Sequence, residues 1–125
     1  MKHSVKHLPD GELEIMQIIW HRNPPVSRSD IEAALGPDKA LAPTTILTFL
    51  TRLCEKGFLS SERVHRVNWY TPLISEREYL ASESRSILDK LYGGSLSAFA
   101  VSLCDSGIKQ EELDELRDLL ERGQL

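Results

Sequence analysis

At 125 residues and 14.1 kDa, the chain fits one domain or one domain with an appendage. Its apolar fraction of 41% is ordinary for a globular protein, and no apolar run is long enough to span a membrane. The formal charge of −4 argues against a nucleic-acid partner until its distribution is read: residues 1–75 are close to neutral, and the acidic excess lies in residues 76–125. Within 42–70 the bases Arg52, Lys56, Arg63 and Arg66, with His65 among them, outnumber the acids Glu55 and Glu62. The N-terminal lysines and histidines have no apolar stretch behind them. They read as a lead-in to the first helix rather than a signal peptide, and the expected location is cytoplasmic.

The first helix is expected over about 11–22, with Asp10 as its N-cap and Glu12 favouring the dipole in the first turn. Leu13, Met16, Ile19 and Trp20 form its core face, broadened by Ile15 and Ile18. Asn23-Pro24-Pro25 ends it. Ser27 and Asp30 then make a capping box, with Val26 and Ile31 as a hydrophobic staple. The second helix runs to about Leu35, its Ile31, Ala34 and Leu35 packing on the helices either side. Gly36-Pro37-Asp38 breaks it.

The third helix, 42–56, organises the chain. Pro43 suits its first position and Gly57 the position just past its end. Ile46, Leu50 and Leu53 put one face in a core, widened by Leu47, Phe49 and Cys54. The other face carries Thr44, Thr45, Thr48, Thr51 and Arg52. Short hydroxyls and one guanidinium can lie against a phosphate backbone and base edges. Leu47 is open to two placements, on DNA or in the core. Arg52 is open to two as well, on a phosphate or on a neighbouring acid.

After Gly57 the period changes to that of strands. Phe58–Val64 and Val67–Pro72 form a hairpin around His65-Arg66. Three helices followed by a hairpin make a winged helix-turn-helix, with Arg63, His65 and Arg66 at the wing tip. Ser75 and Glu78 cap a fourth helix to about Tyr92, Ser95 caps a fifth over Leu96–Cys104, and a sixth follows over about 110–122. The fold expected is mainly α with a small β-hairpin wing. A winged DNA-binding domain spans 8–74 and a helical dimerisation domain 75–122. The tail is too short for a large core and is expected to pair with a second copy through Leu88, Leu91, Leu96, Phe99, Leu103, Leu113, Leu116 and Leu120.

No enzyme is expected. His3, His7, His21 and His65 show neither metal-ligand spacing nor an evident partner acid, and no glycine-rich phosphate loop is present. Cys54 and Cys104 form no CxxC pair and are expected to be reduced and buried, so neither a metal nor a cofactor is anticipated. The partners expected are double-stranded DNA and a second copy of the chain. The alternative is a winged-helix module that meets a protein with the Thr44–Arg52 face.

Several segments together carry a resemblance. They are Glu12–Trp20 (ELEIMQIIW), Ala42–Ile46 (APTTI), Leu50–Leu59 (LTRLCEKGFL), Trp69–Leu73 (WYTPL), Tyr92-Gly93-Gly94 and Glu111–Leu116 (EELDEL). From about Leu8 to Glu121 the chain resembles the penicillinase repressor family, the β-lactamase and methicillin-resistance repressors, with copper-responsive repressors as relatives. The resemblance implies a dimeric bacterial repressor on a palindromic operator, dimerised through the C-terminal helices. Departures are visible. Ala42 stands where the family commonly has Ser, and Thr44 and Leu47 where members often carry a base. The tail has Cys104 alone where the copper branch has paired cysteines. Antibiotic-responsive members are cut by a membrane-bound sensor protease at an Asn–Phe bond. Ser102-Leu103 occupies that place here and is the candidate cleavage site.

Overall fold

The computed structural model describes residues 5–123, so His3 and the first part of the N-terminal lead-in lie outside the described residues. The elements run α1 (Asp10–Trp20), β1 (Val26–Ser27), α2 (Arg28–Leu35), α3 (Pro43–Glu55), β2 (Leu59–Val64), β3 (Val67–Pro72), α4 (Glu76–Tyr92), α5 (Leu96–Asp105) and α6 (Gln110–Arg122). The chain folds as two compact units, one up to Glu83 and the other from Ser84. The fold is mainly helical with a small antiparallel wing, as the pattern of caps and periods implies.

The first unit holds the core. Leu8, Ile15, Met16, Ile19, Val26, Ile31, Leu35, Ile46, Leu50, Leu53, Phe58, Leu59, Tyr70 and Tyr79 are buried together. Local chemistry sets the helix ends. The Ser27 hydroxyl accepts from the Asp30 N–H while the Asp30 carboxylate accepts from the Ser27 N–H, which starts α2. α3 starts on Pro43 and closes in a Schellman motif: Phe58 N–H donates to the Leu53 carbonyl and Gly57 N–H to that of Cys54, with Gly57 at φ +82°. Two expectations are corrected here. The N-cap of α1 is Pro9, so Asp10 lies inside the helix, which ends at Trp20. Ala34 is exposed, because Ile31 and Leu35 already fill the inward side of a helix only two turns long.

The sheet has three strands in the order β1-β3-β2. β2 and β3 form the hairpin, from Leu59↔Pro72 at its base to Val64↔Val67 at its tip. β1 pairs Val26 with Tyr70 and Ser27 with Trp69. It ties the entry of α2 to the wing, so the cap that starts α2 is itself held by the sheet.

Tyr79 fixes the first turns of α4 to this unit. Its ring lies 5.7 Å from those of Trp20 and Phe58, and its hydroxyl accepts from the Leu8 N–H at 3.0 Å and donates to Glu83. The Trp20 indole N–H donates to the Ile74 carbonyl at 2.9 Å, so Trp20 packs at the edge of the core with its polar atom satisfied. Two histidines do find acids, contrary to expectation. His7 meets Glu83 at 2.5 Å and His21 meets Glu76 at 3.1 Å, both acids arriving on α4.

Burial, then the hydrogen bond to Glu83, pushes the Tyr79 phenol from 10.0 up to about 12, and the same hydrogen bond holds the Glu83 carboxyl below its ordinary value. A phenol whose folded value is raised stabilises the fold fully below pH 10.0, and that stabilisation is lost as pH climbs towards about 12. The urea midpoint should therefore fall across that window. Tyr79→Phe should flatten the fall and cost about 1–3 kcal/mol at neutral pH, because the Leu8 N–H loses its acceptor.

The second unit has no such core. α5 and α6 contain no buried residue. Its internal order is local: Tyr92 meets Phe99 edge-on at 5.4 Å across the Gly93-Gly94 turn, and the Ser95 hydroxyl caps α5 by accepting from Ala98 N–H. Cys104 is exposed and Cys54 half-buried, so neither is the buried residue its apolar neighbours implied. Among the described residues, no helix is long and apolar enough to cross a membrane.

Candidate nucleic-acid interface

The candidate surface is built on α3 and the wing. On α3 the period that buries Ile46, Leu50 and Leu53 turns Thr44, Thr48, Thr51 and Arg52 outward, while Thr45 is half-buried. Leu47 is 38% exposed, which places it on this outward face and corrects its assignment to the apolar side. The first turn of α3 carries no acid. Its N-cap, Ala42, makes no side-chain hydrogen bond, so the N–H groups at this end have only backbone partners: those of Thr45 and Ile46 donate to the Ala42 carbonyl. The Thr48 hydroxyl donates to the Thr44 carbonyl at 2.9 Å. That spends its proton and leaves its oxygen as an acceptor on an exposed side chain.

The wing tip is a two-residue turn. His65 and Arg66 have φ of +50° and +68°, the left-handed pair that a type I′ hairpin turn requires. Asn-Gly fits that geometry at little cost; histidine fits it less well than asparagine, and arginine at φ +68° is strained. Val64 and Val67 below the tip are about as exposed as Leu47. Arg63 donates to the Asn68 side-chain oxygen at 3.5 Å across the hairpin. Among the described residues Arg52, Arg63 and Arg66 make no ion pair, so their charge is free to act outward. Lys56 differs. Its ammonium binds the buried Glu12 carboxylate, so it adds little to the local positive potential credited to it.

In the second unit, Leu91, Leu96, Leu116 and Leu120 are exposed, whereas Leu88, Phe99, Leu103 and Leu113 are half-buried. Leu80 in the first unit, and Ile87 and Val101 in the second, are also exposed apolar side chains outside the expected dimer set. Leu80, Ile87 and Leu91 follow a helical spacing on α4 and extend the expected Leu88 and Leu91 along that helix. Ser102 and Leu103 lie half-buried within α5.

The pattern of the family described as penicillinase repressor matches residues 8–122. The chain belongs to the penicillinase repressor family. A penicillinase repressor of Bacillus licheniformis is 32% identical over 119 residues, covering 94% of this chain and 92% of that protein. The methicillin resistance regulatory protein MecI of Staphylococcus aureus is 27% identical over 123 residues, covering 98% and 99%. Among solved structures, the DNA-binding domain of the repressor BlaI superposes with a TM-score of 0.52 at 35% identity, covering 63% of this chain and 94% of that one. The monomeric form of Bacillus licheniformis BlaI in complex with the blaP half-operator gives 0.50, also at 35% identity, covering 60% and 90%. The penicillinase repressor family is one of transcriptional regulators, not enzymes, and the first unit here has the winged helix-turn-helix of its DNA-binding domains.

Proposed function

We propose that this chain is a homodimeric cytoplasmic repressor that binds a palindromic operator with α3 in the major groove and the wing on flanking phosphates. The observation that carries this reading is the outward face of α3. It presents hydroxyls, a free guanidinium and no buried function, on the same unit as a wing tip with two unpaired arginines. Thr44, Thr45 and Thr48 face base edges, where methyl groups meet thymine methyls and hydroxyl oxygens accept from base amines. Leu47 adds an apolar contact. Thr51, Arg52, Arg63, His65 and Arg66 reach phosphates. The complex of monomeric BlaI with the blaP half-operator, at 35% identity, supports the DNA-binding part of this reading.

Dimerisation falls to the C-terminal unit, where Leu91, Leu96, Val101, Leu116 and Leu120 are exposed. Induction then acts by lowering dimer stability or operator affinity. One route is cleavage by a membrane-bound sensor protease at Ser102-Leu103. A protease binds extended chain, so that route requires α5 to open first. Intact protein in fully derepressed cells, seen by mass spectrometry, would exclude it.

Selection of bound duplexes from a random pool tests the whole reading. The expected winner is an inverted repeat whose half-sites are spaced by about 10 base pairs or a multiple of that. Should nothing be enriched and no duplex bind at low salt, the α3 face belongs to a protein partner instead.

A further inference from the structure

Glu12 is the one charged side chain buried among the described residues. A lone carboxylate in that place is strongly unfavourable, so its partner matters. The partner is Lys56, whose Nζ lies 2.5 Å from Glu12 Oε1. Lys56 is the C-cap residue of α3, where a cation also favours the helix dipole. The neighbouring position of α1 makes a second grip. A Cβ on Gly11 would lie 2.7 Å from Cζ of Phe49, so the absence of a side chain lets the Phe49 ring sit against the α1 backbone. Residues 11 and 12 of α1 thus hold α3 at its middle and at its end. The Thr44–Thr48–Arg52 surface is carried on the same helix, and small rotations about its axis would move those side chains relative to a groove.

We propose that Glu12 and Lys56 are a positioning pair that sets the angle of α3, and that Lys56 touches no phosphate. The consequence for operator choice rests on the DNA-binding reading above. Burying a charge is a poor way to gain stability, because an apolar pair of similar volume does as well or better. A geometrically demanding ion pair instead specifies one orientation of two helices. Exposed lysine would serve solubility; this one is three-quarters buried and committed to α1.

The test uses the full chain as wild type, Glu12→Gln, and the double variant Glu12→Gln with Lys56→Met. The single variant keeps the Lys56 charge and leaves it a neutral acceptor. The double variant removes the charge without stranding a carboxylate, which Lys56→Met alone would do. Both are expected to fold, by circular dichroism. In both, binding to the selected duplex should weaken about tenfold, the scale of one mismatched base pair, while binding to unrelated duplex and the salt slope stay unchanged. An unchanged ratio of specific to non-specific binding in Glu12→Gln overturns the positioning role. A salt slope lowered by about one per subunit in the double variant overturns the claim that Lys56 is off the backbone. A reading without DNA separates this inference from the function it rests on. Amide shifts in Glu12→Gln should run along Thr44–Arg52; shifts confined to the neighbours of residues 12 and 56 overturn it even where the wild type retains a duplex. If the wild type retains none, the DNA-binding reading fails, and those shifts alone uphold or overturn the grip on α3.

Discussion

Leu116→Asp should convert a particle of twice 14.1 kDa into one of 14.1 kDa at micromolar concentration by sedimentation equilibrium. The same change should weaken binding to a full inverted repeat by about 10²–10⁴-fold, the range that linking two binding events supplies. The second unit motivates this. α5 and α6 contain no fully buried residue, and Leu91, Leu96, Val101, Leu116 and Leu120 are between 41% and 69% exposed. A unit of this kind gains stability only when another surface covers it. Leu113, Leu116 and Leu120 recur at spacings of three and four along α6, so a carboxylate at residue 116 falls on the apolar stripe rather than at its rim. Burying that unpaired charge opposes assembly, and the group would remain in water on a monomer instead. Binding to a half-site should be unaffected, because the first unit has its own core and its own outward face. That half-site control separates lost dimerisation from lost folding. A variant that stays dimeric would remove the C-terminal unit from the interface.

The parts of this fold that were readable from sequence are those set by near neighbours. Ser27 with Asp30 and Ser75 with Glu78 each form both bonds of a capping box within four residues. Pro43 and Gly57 bracket α3 by backbone geometry alone. What was not readable is set by groups that meet only after folding. β1 is two residues long, too short to show a period, and exists because β3 arrives beside it. Glu12 looks like an ordinary first-turn acid until Lys56 comes across from α3. The sequence shows no acid beside His7 or His21 because Glu83 and Glu76 lie far along the chain. Nothing in the sequence around Tyr79 marks its role, which is to join the N-terminal segment to α4 through its hydroxyl. The candidate site divides in the same way. The hydroxyl face of α3 follows from helical period. The left-handed backbone at His65-Arg66 does not, because neither residue signals it.

That turn leads to an expectation in which stability and binding move in opposite directions. Replacing His65-Arg66 by Asn-Gly should raise the stability of the first unit while weakening its hold on DNA. Non-glycine residues in the left-handed region cost about 1–2 kcal/mol each, less for Asn, and Gly adopts it without a clash. The present residues therefore strain a turn that Asn-Gly would relax, by a gain on the order of 1 kcal/mol once the extra freedom of unfolded Gly is set against it. Strain kept at an exposed tip needs a reason outside packing, since both side chains are exposed and Arg66 has no ion-pair partner among the described residues. Contact with phosphates supplies that reason. Losing Arg66 from each half of a dimer should flatten the dependence of log affinity on log salt by about two, and weaken all duplexes alike rather than the operator alone. His65→Asn by itself keeps the guanidinium, so it should give part of the stability and keep the Arg66 share of the slope. Urea unfolding reads the first quantity and a salt titration of duplex binding the second. If the Asn-Gly wing binds with unaltered slope, the tip does not touch the backbone, and the phosphate contacts must come from Arg52 and Arg63. If it binds unrelated duplex normally but loses the operator, Arg66 reads bases in a groove and its role shifts from anchoring to recognition.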